Sequence, residues 1–153
     1  MTDRVLVRPI KLGDYPAWRP LWDGYNAFYG RSGSTALDER ITSQTWQRFF
    51  DTTENVHAFV AELDSRIVGI VHFLFHRSTS RLADVCYLQD LFTEEAHRGQ
   101  GIGRHLIQHV FDRAKKVGSS RVYWATYATN SAGRALYDKM TAYRGAIMYA
   151  HEL

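Results

Sequence analysis

Residues 97–106 read HRGQGIGRHL, with Gly99, Gly101 and Gly103 at alternate positions between Arg98 and Arg104. An amphipathic pattern begins at once: Ile102, Leu106, Ile107, Val110, Phe111, Ala114 and Val117 keep to one stripe, which predicts a helix over 101–117 ended by Gly118. Glycine weakens a helix start through its conformational entropy, so three of them need a reason. The first turn of a helix leaves amide N–H groups without partners and carries partial positive charge. Glycines remove the Cβ atoms that would hold an anion away, and flanking arginines add charge. The chemistry on offer is capture of a phosphate or pyrophosphate.

Two nucleotide loops fail on spacing. A mononucleotide loop requires a Gly-Lys-Ser/Thr ending, and none follows. A dinucleotide fingerprint reads G-x-G-x-x-G with an acidic residue about twenty positions on. Here the spacing is G-x-G-x-G, and that downstream region is basic or neutral. A pyrophosphate cradle serving another cofactor remains.

The elements that must position this loop follow from periodicity. RVLVRPI predicts a first strand ending near Pro9, and Trp18, Leu21, Trp22, Tyr25 and Phe28 recur at helical spacing between Asp14 and Gly30. A second helix is expected over 43–50. Strands are expected at 57–63 and 66–76, joined by the hairpin pair Asp64-Ser65, and at 83–93. After the glycine loop and its helix come a strand at 121–127, a helix at 130–140 and a closing strand at 145–150. This order predicts the α/β (α+β) class, a mixed, mostly antiparallel sheet flanked by helices, with 1–153 as one domain.

RGQGIG, following LQDLFT, resembles the acetyl-CoA pyrophosphate motif of the GNAT N-acetyltransferase superfamily, Arg/Gln-x-x-Gly-x-Gly/Ala, with Arg98, Gly101 and Gly103 at its fixed positions. SRVYWATYATNSAGRALYDKM is similar to the next strand and helix of that superfamily, with its N…A…LY pattern. YNAFYG and GIVHFLFHRST resemble a branch that includes fungal enzymes acetylating histones, polyamines or D-amino acids. One departure is that Tyr137 leads into DKMTAYRGAIMY, delaying the usual glycine to Gly145.

The resemblance implies the GNAT fold and N-acetyl transfer from acetyl-CoA to a primary amine of a small molecule or peptide by direct attack. It implies that Arg98, Gly99, Gln100, Gly101, Ile102, Gly103 and Arg104 hold the pyrophosphate and that Leu91, Phe92 and Thr93 pair through their backbone with the pantetheine arm. By the same resemblance Asn130 contacts the cofactor and Tyr137 reaches the thioester sulfur as the acid; the two lie seven residues apart, on nearly the same helix edge. An alkylammonium of pKa about 10.4 is deprotonated in roughly one molecule in two to three thousand at neutral pH, a penalty of about 4.6 kcal/mol. A proton must therefore be removed before attack. Asp90 is the expected base, standing where polyamine-type relatives carry Glu-Asp and this chain carries Gln89-Asp90; Asp84, Glu62 and a water-mediated path stay open. In a regular strand Asp90 would point away from Gln89. The rival is a non-catalytic acyl-CoA-binding sensor, which would need the loop but no acid near the sulfur.

Composition is that of a globular protein, 45% hydrophobic and 23% charged with a net charge of +3. Basic residues are scattered rather than spread over one face, which argues against a nucleic-acid partner. Cys86 is the lone cysteine, so no internal disulfide or Cys-based metal site is expected, and its apolar strand suits an inert thiol. His105 and His109 stand at i, i+4 without an evident third ligand, so no metal is expected and the pair is read as solvent-exposed. His72 and His76 share a strand face that either lines the acceptor pocket or simply packs. Trp22, Tyr25 and Tyr29 suit the core, though by resemblance the first helices border the acceptor site. MTDRVLVRPI holds no apolar run of signal-peptide length and no segment is long enough to cross a bilayer, so no membrane association and a cytoplasmic location are expected. A homodimer is expected by resemblance, through the C-terminal strand.

Overall fold

Alternation along VLVRP forms β1 (Val5–Pro9), which pairs antiparallel with β2 (His57–Leu63). Between them the chain makes two helices, α1 (Tyr15–Phe28) and α2 (Glu39–Arg48). β2 turns into β3 (Arg66–His76) through Asp64 and Ser65, at φ 51° and 67°, the left-handed pair a tight hairpin requires. β4 (Val85–Thr93) continues antiparallel. α3 (Ile102–Lys116) then crosses over to β5 (Val122–Tyr123), which pairs parallel with β4, and α4 (Ser131–Met140) follows. The computed structural model describes residues 4–153.

The sheet runs β1-β2-β3-β4-β5, mixed because its last pairing is parallel. Helices cover both faces. On one, Trp18, Leu21, Trp22 and Tyr25 of α1 bury against Ala58, Val60 and Ile70. On the other, Ile102, Leu106, Ile107 and Val110 of α3 pack on Phe59, Val71, Phe73 and Leu88. The helical stripe read from the sequence is thus the face that is buried.

Three expectations need correction. α2 starts at Glu39 rather than residue 43, because the Asp38 carboxylate accepts the Arg40 N–H at 2.8 Å and caps the helix earlier. The strand expected at 121–127 keeps only Val122 and Tyr123, since beyond Tyr87 the neighbouring strand no longer pairs with it. The closing strand at 145–150 does not form: residues 142–153 take no regular structure, and Ile147, Met148 and Tyr149 are exposed. Extended chain needs an edge to pair with, and among the described residues none pairs with this segment.

Candidate functional site

The glycine loop leads from β4 into α3. Gly99 and Gly101 both take left-handed φ, 77° and 82°, and Gly101 is the N-cap of α3. The first bond across that end is His105 N–H to the Gly101 carbonyl at 3.0 Å. The amides of Ile102, Gly103 and Arg104 precede it, and no side chain caps them. α2 and α4 are treated differently: Asp38 caps one, and Asn130 caps the other by accepting the Gly133 N–H at 3.2 Å. A glycine cap with bare amides and alternating backbone handedness has the geometry of an anion nest.

Around this nest the expected residues divide by role. Ile102 is 1% exposed, so only its backbone is available to a ligand, whereas the side chains of Gln100 and Arg104 are exposed. A Cβ on Gly103 would lie 3.1 Å from Leu136 Cδ2, so its missing side chain also serves the approach of α4 to α3. Arg98 folds back: its Nε–H donates to the Thr93 carbonyl at 3.1 Å and its guanidinium lies 5.2 Å from the Phe92 ring centre. It orders the loop rather than projecting freely.

Leu91, Phe92 and Thr93 pair on one side with Val71, Ile70 and Gly69 of β3. Their other edge has no strand beside it, because β5 pairs only with Cys86 and Tyr87. Backbone groups that face this open edge, apart from the Thr93 carbonyl that Arg98 holds, therefore extend from the sheet centre to the α3 amides, suited to an elongated ligand carrying amides along its length and phosphate at one end. Asn130 is the α4 cap, and its Nδ2 donates to Thr126 Oγ1 at 2.9 Å. Tyr137, on α4, packs edge-on against Trp124 at 5.5 Å. Burial pushes its phenol up to about 12, with Tyr29 adding to the effect.

At the inner end of that edge lies a cavity of about 140 Å³, bordered by Asp90, Gln89, His72, Trp22, Phe49 and Arg48. A β-bulge makes it. The β3–β4 register slips between His72 and Phe73, leaving Gln89 without a partner residue. Gln89 therefore borders the same cavity as Asp90 instead of pointing to the opposite face. Asp90 Oδ2 receives a hydrogen bond from His72 Nδ1 at 2.9 Å. Tyr25 faces the same carboxylate: burial raises its phenol first, and the Asp90 charge raises it further. The alternative carboxylates lie outside this cavity: Glu62 is bonded to Arg8 at 3.1 Å, and Asp84 lies 3.2 Å from Arg77 with its buried Oδ1 unpaired by a hydrogen bond.

The discounted groups have structural places. Burial pushes the Cys86 thiol up to about 12. His105 Nδ1 bonds the Gly101 carbonyl at 3.0 Å, while half-buried His109 stands edge-on to Phe59 at 4.9 Å, so the pair is not the solvent-facing one expected. Among the described residues no three His, Cys, Asp or Glu gather as metal ligands, and no helix is long and apolar enough to cross a membrane. The sequence left Arg48 unassigned, and it left Tyr25 and His72 between lining the acceptor site and packing. Their signal is a cross-strand register and a cavity wall, neither of which is local in sequence.

The profile of the Acetyltransferase (GNAT) family matches residues 18–142. The chain belongs to the GNAT acetyltransferase family. D-amino-acid N-acetyltransferase HPA3 of Saccharomyces cerevisiae is 32% identical over 152 residues, spanning 97% of this chain and 91% of that protein. A thialysine N-epsilon-acetyltransferase of Bos taurus is 31% identical over 101 residues, 61% of this chain and 59% of its own. Among solved structures, the aminoglycoside acetyltransferase meta-AAC0020 from an uncultured soil metagenomic sample matches with a TM-score of 0.81 at 18% identity, covering 99% of this chain and 97% of its own. At that identity the match speaks to the fold alone. The GNAT acetyltransferase described here thus has the five-stranded mixed sheet and flanking helices of its structural neighbours.

Proposed function

We propose that this acetyltransferase moves the acetyl group of acetyl-CoA to a primary amine of a small molecule or peptide by direct attack, with residues 1–153 acting as one N-acetyltransferase domain. The observation that carries the reading is the unpaired β4 edge, which runs from the cavity at Asp90 to the uncapped α3 amides. Acetyl-CoA supplies an activated acyl thioester. The amides of Ile102, Gly103 and Arg104, flanked by Gly99, Gln100 and Gly101, hold its diphosphate. Leu91, Phe92 and Thr93 pair with its amide-bearing arm, and the Leu91 backbone polarises the acyl oxygen. Tyr137 hydrogen-bonds the sulfur and returns a proton to it. Asp90 binds the incoming ammonium; once that group has lost a proton to water, at about 4.6 kcal/mol for an alkylammonium at neutral pH, the free amine attacks and Asp90 accepts the proton that the nitrogen sheds as the C–N bond forms.

The cavity favours one class of acceptor. Arg48 is its cation and Asp90 its carboxylate, with aromatic walls from Trp22 and Phe49. That pairing suits a free amino acid, whose carboxylate meets Arg48 and whose ammonium meets Asp90. The names of two relatives, a D-amino-acid and a thialysine acetyltransferase, support the same choice.

The test is thiol release from acetyl-CoA with a panel of D- and L-amino acids, polyamines, aminoglycosides and peptides, beside a separate measurement of CoA binding. Release with an amine supports transfer; tight CoA binding with no release from any amine supports the sensor reading instead. A homodimer in the cytoplasm completes the proposal. Its supports are the lone, buried Cys86 and the exposed apolar residues Ile147, Met148 and Tyr149, which would gain a partner edge from a second copy.

A further inference from the structure

Three buried side chains beside the cavity form a directed chain of hydrogen bonds. Trp18 Nε1–H donates to His72 Nε2 at 3.1 Å, and His72 Nδ1 meets Asp90 Oδ2 at 2.9 Å. His72 and Asp90 are direct cross-strand partners just before the bulge. Trp18 is 0% exposed, and the His72 and Asp90 side chains are 3% and 11% exposed. The indole N–H can only donate, so His72 Nε2 must accept and the ring proton must sit on Nδ1, aimed at Asp90. A second proton on Nε2 would set two donors face to face. The rings of Trp18, Trp22 and Phe49, at 6.1, 5.5 and 4.8 Å from the imidazole, shield the ring from water.

We infer that Trp18 and His72 are positioning residues: the indole locks a neutral, Nδ1-protonated imidazole that anchors one oxygen of Asp90 and leaves the carboxylate directed to the ammonium of the acceptor. This rests on the reading of Asp90 as the ammonium-binding base. His72 itself moves no proton, because its second nitrogen is occupied by a donor. The lock also keeps an imidazolium out of the cavity, where it would repel a cationic acceptor. The titratable and charged groups facing the pair are Asp90 from β4, Tyr25 from α1 and Arg48 from α2; His76, further along β3, is exposed and bonds Tyr123 instead. Arg48 lies 3.9 Å from Glu54, which does not border the cavity, so Asp90 is the carboxylate that the cavity itself presents.

Nitrogen-15 NMR of the imidazoles in the wild-type protein, without substrate, tests the lock directly. His72 should carry its proton on Nδ1, with an unprotonated Nε2. An Nε2-protonated ring, or an imidazolium at neutral pH, overturns the proposal whatever the enzyme acetylates. With an amine found by the panel, His72→Leu should lower kcat/KM for the amine by about tenfold or more, the worth of a hydrogen bond to a charged group, while CoA affinity stays unchanged. His72→Asn restores a donor in the Nδ1 position and should recover most of that loss. Trp18→Phe removes the donor that occupies Nε2, so the single Nδ1 tautomer should give way to a mixture in the same spectra. Equal activity of His72→Leu and wild type, or no recovery in His72→Asn, refutes the positioning role. Failure of every amine would instead strike the transfer reading and leave the tautomer measurement standing.

Discussion

Gly101→Ala separates a glycine needed for backbone shape from one needed for a ligand. Gly101 has φ 82° and ψ 8°. An alanine held there costs about 1–2 kcal/mol in backbone strain, which at this chain length lowers Tm by about 2–8 °C. Gly118, at φ 85° with open space around it and outside the loop, supplies the same strain without the proposed contact. Gly118→Ala should therefore lose a similar increment of Tm. The two variants should part on CoA binding. An N–H bond to a charged oxygen contributes about 1.5–3 kcal/mol, so displacing one such bond weakens binding by about 10- to 150-fold. Calorimetric titration of CoA, run beside thermal melts, reads both effects. Similar CoA affinity in the two variants, with similar melts, would refute the cradle.

Four further outcomes follow from single side chains. Tyr137→Phe should cut kcat by about a hundredfold or more, in the range for a positioned acid, with CoA affinity held within twofold. Because the Tyr137 phenol is pushed up to about 12, it stays protonated through the working range, so kcat should show no basic limb from this group below about pH 11. Cys86, whose thiol burial raises to about 12, carries almost no thiolate at pH 8; it should resist a thiol reagent in the native protein, react on unfolding, and Cys86→Ala should keep turnover. The Arg8 hydrogen bond at 2.7 Å holds the Asp14 carboxyl below the ordinary carboxylate range. Its contribution is complete above the unfolded carboxyl value of about 3.9 and is lost as pH falls through the lower folded value. Asp14→Asn should therefore cost about 1–2 kcal/mol in urea unfolding at pH 7, and the gap should close in strong acid.

Much of the frame was legible because it is periodic. The α3 stripe from Ile102 to Ala114 and the Asp64-Ser65 hairpin are local patterns, and each formed where its residues fall. The glycine loop was legible for a similar reason, since unpartnered amides at a helix start follow from backbone geometry alone. The acceptor side was not. The bulge at Gln89 has no signature in LQDL, yet it decides that Gln89 and Asp90 share a cavity. The pairing of His72 with Asp90 depends on the register of strands eighteen residues apart in sequence. Trp18 reads as a core residue and is one, but its single polar atom fixes a tautomer across the core. The strand expected at 121–127 is longer than β5, and the one expected at 145–150 does not form, because an apolar run does not say whether an edge lies beside it.

The central claim is that acetyl-CoA lies along the free edge of β4 with its diphosphate on the amides that open α3. Backbone amide NMR during titration with CoA tests this most directly. Saturable shifts should appear at Ile102, Gly103 and Arg104 together with Leu91, Phe92 and Thr93, all fitting one dissociation constant. Saturable CoA binding that leaves those amides unmoved would contradict it.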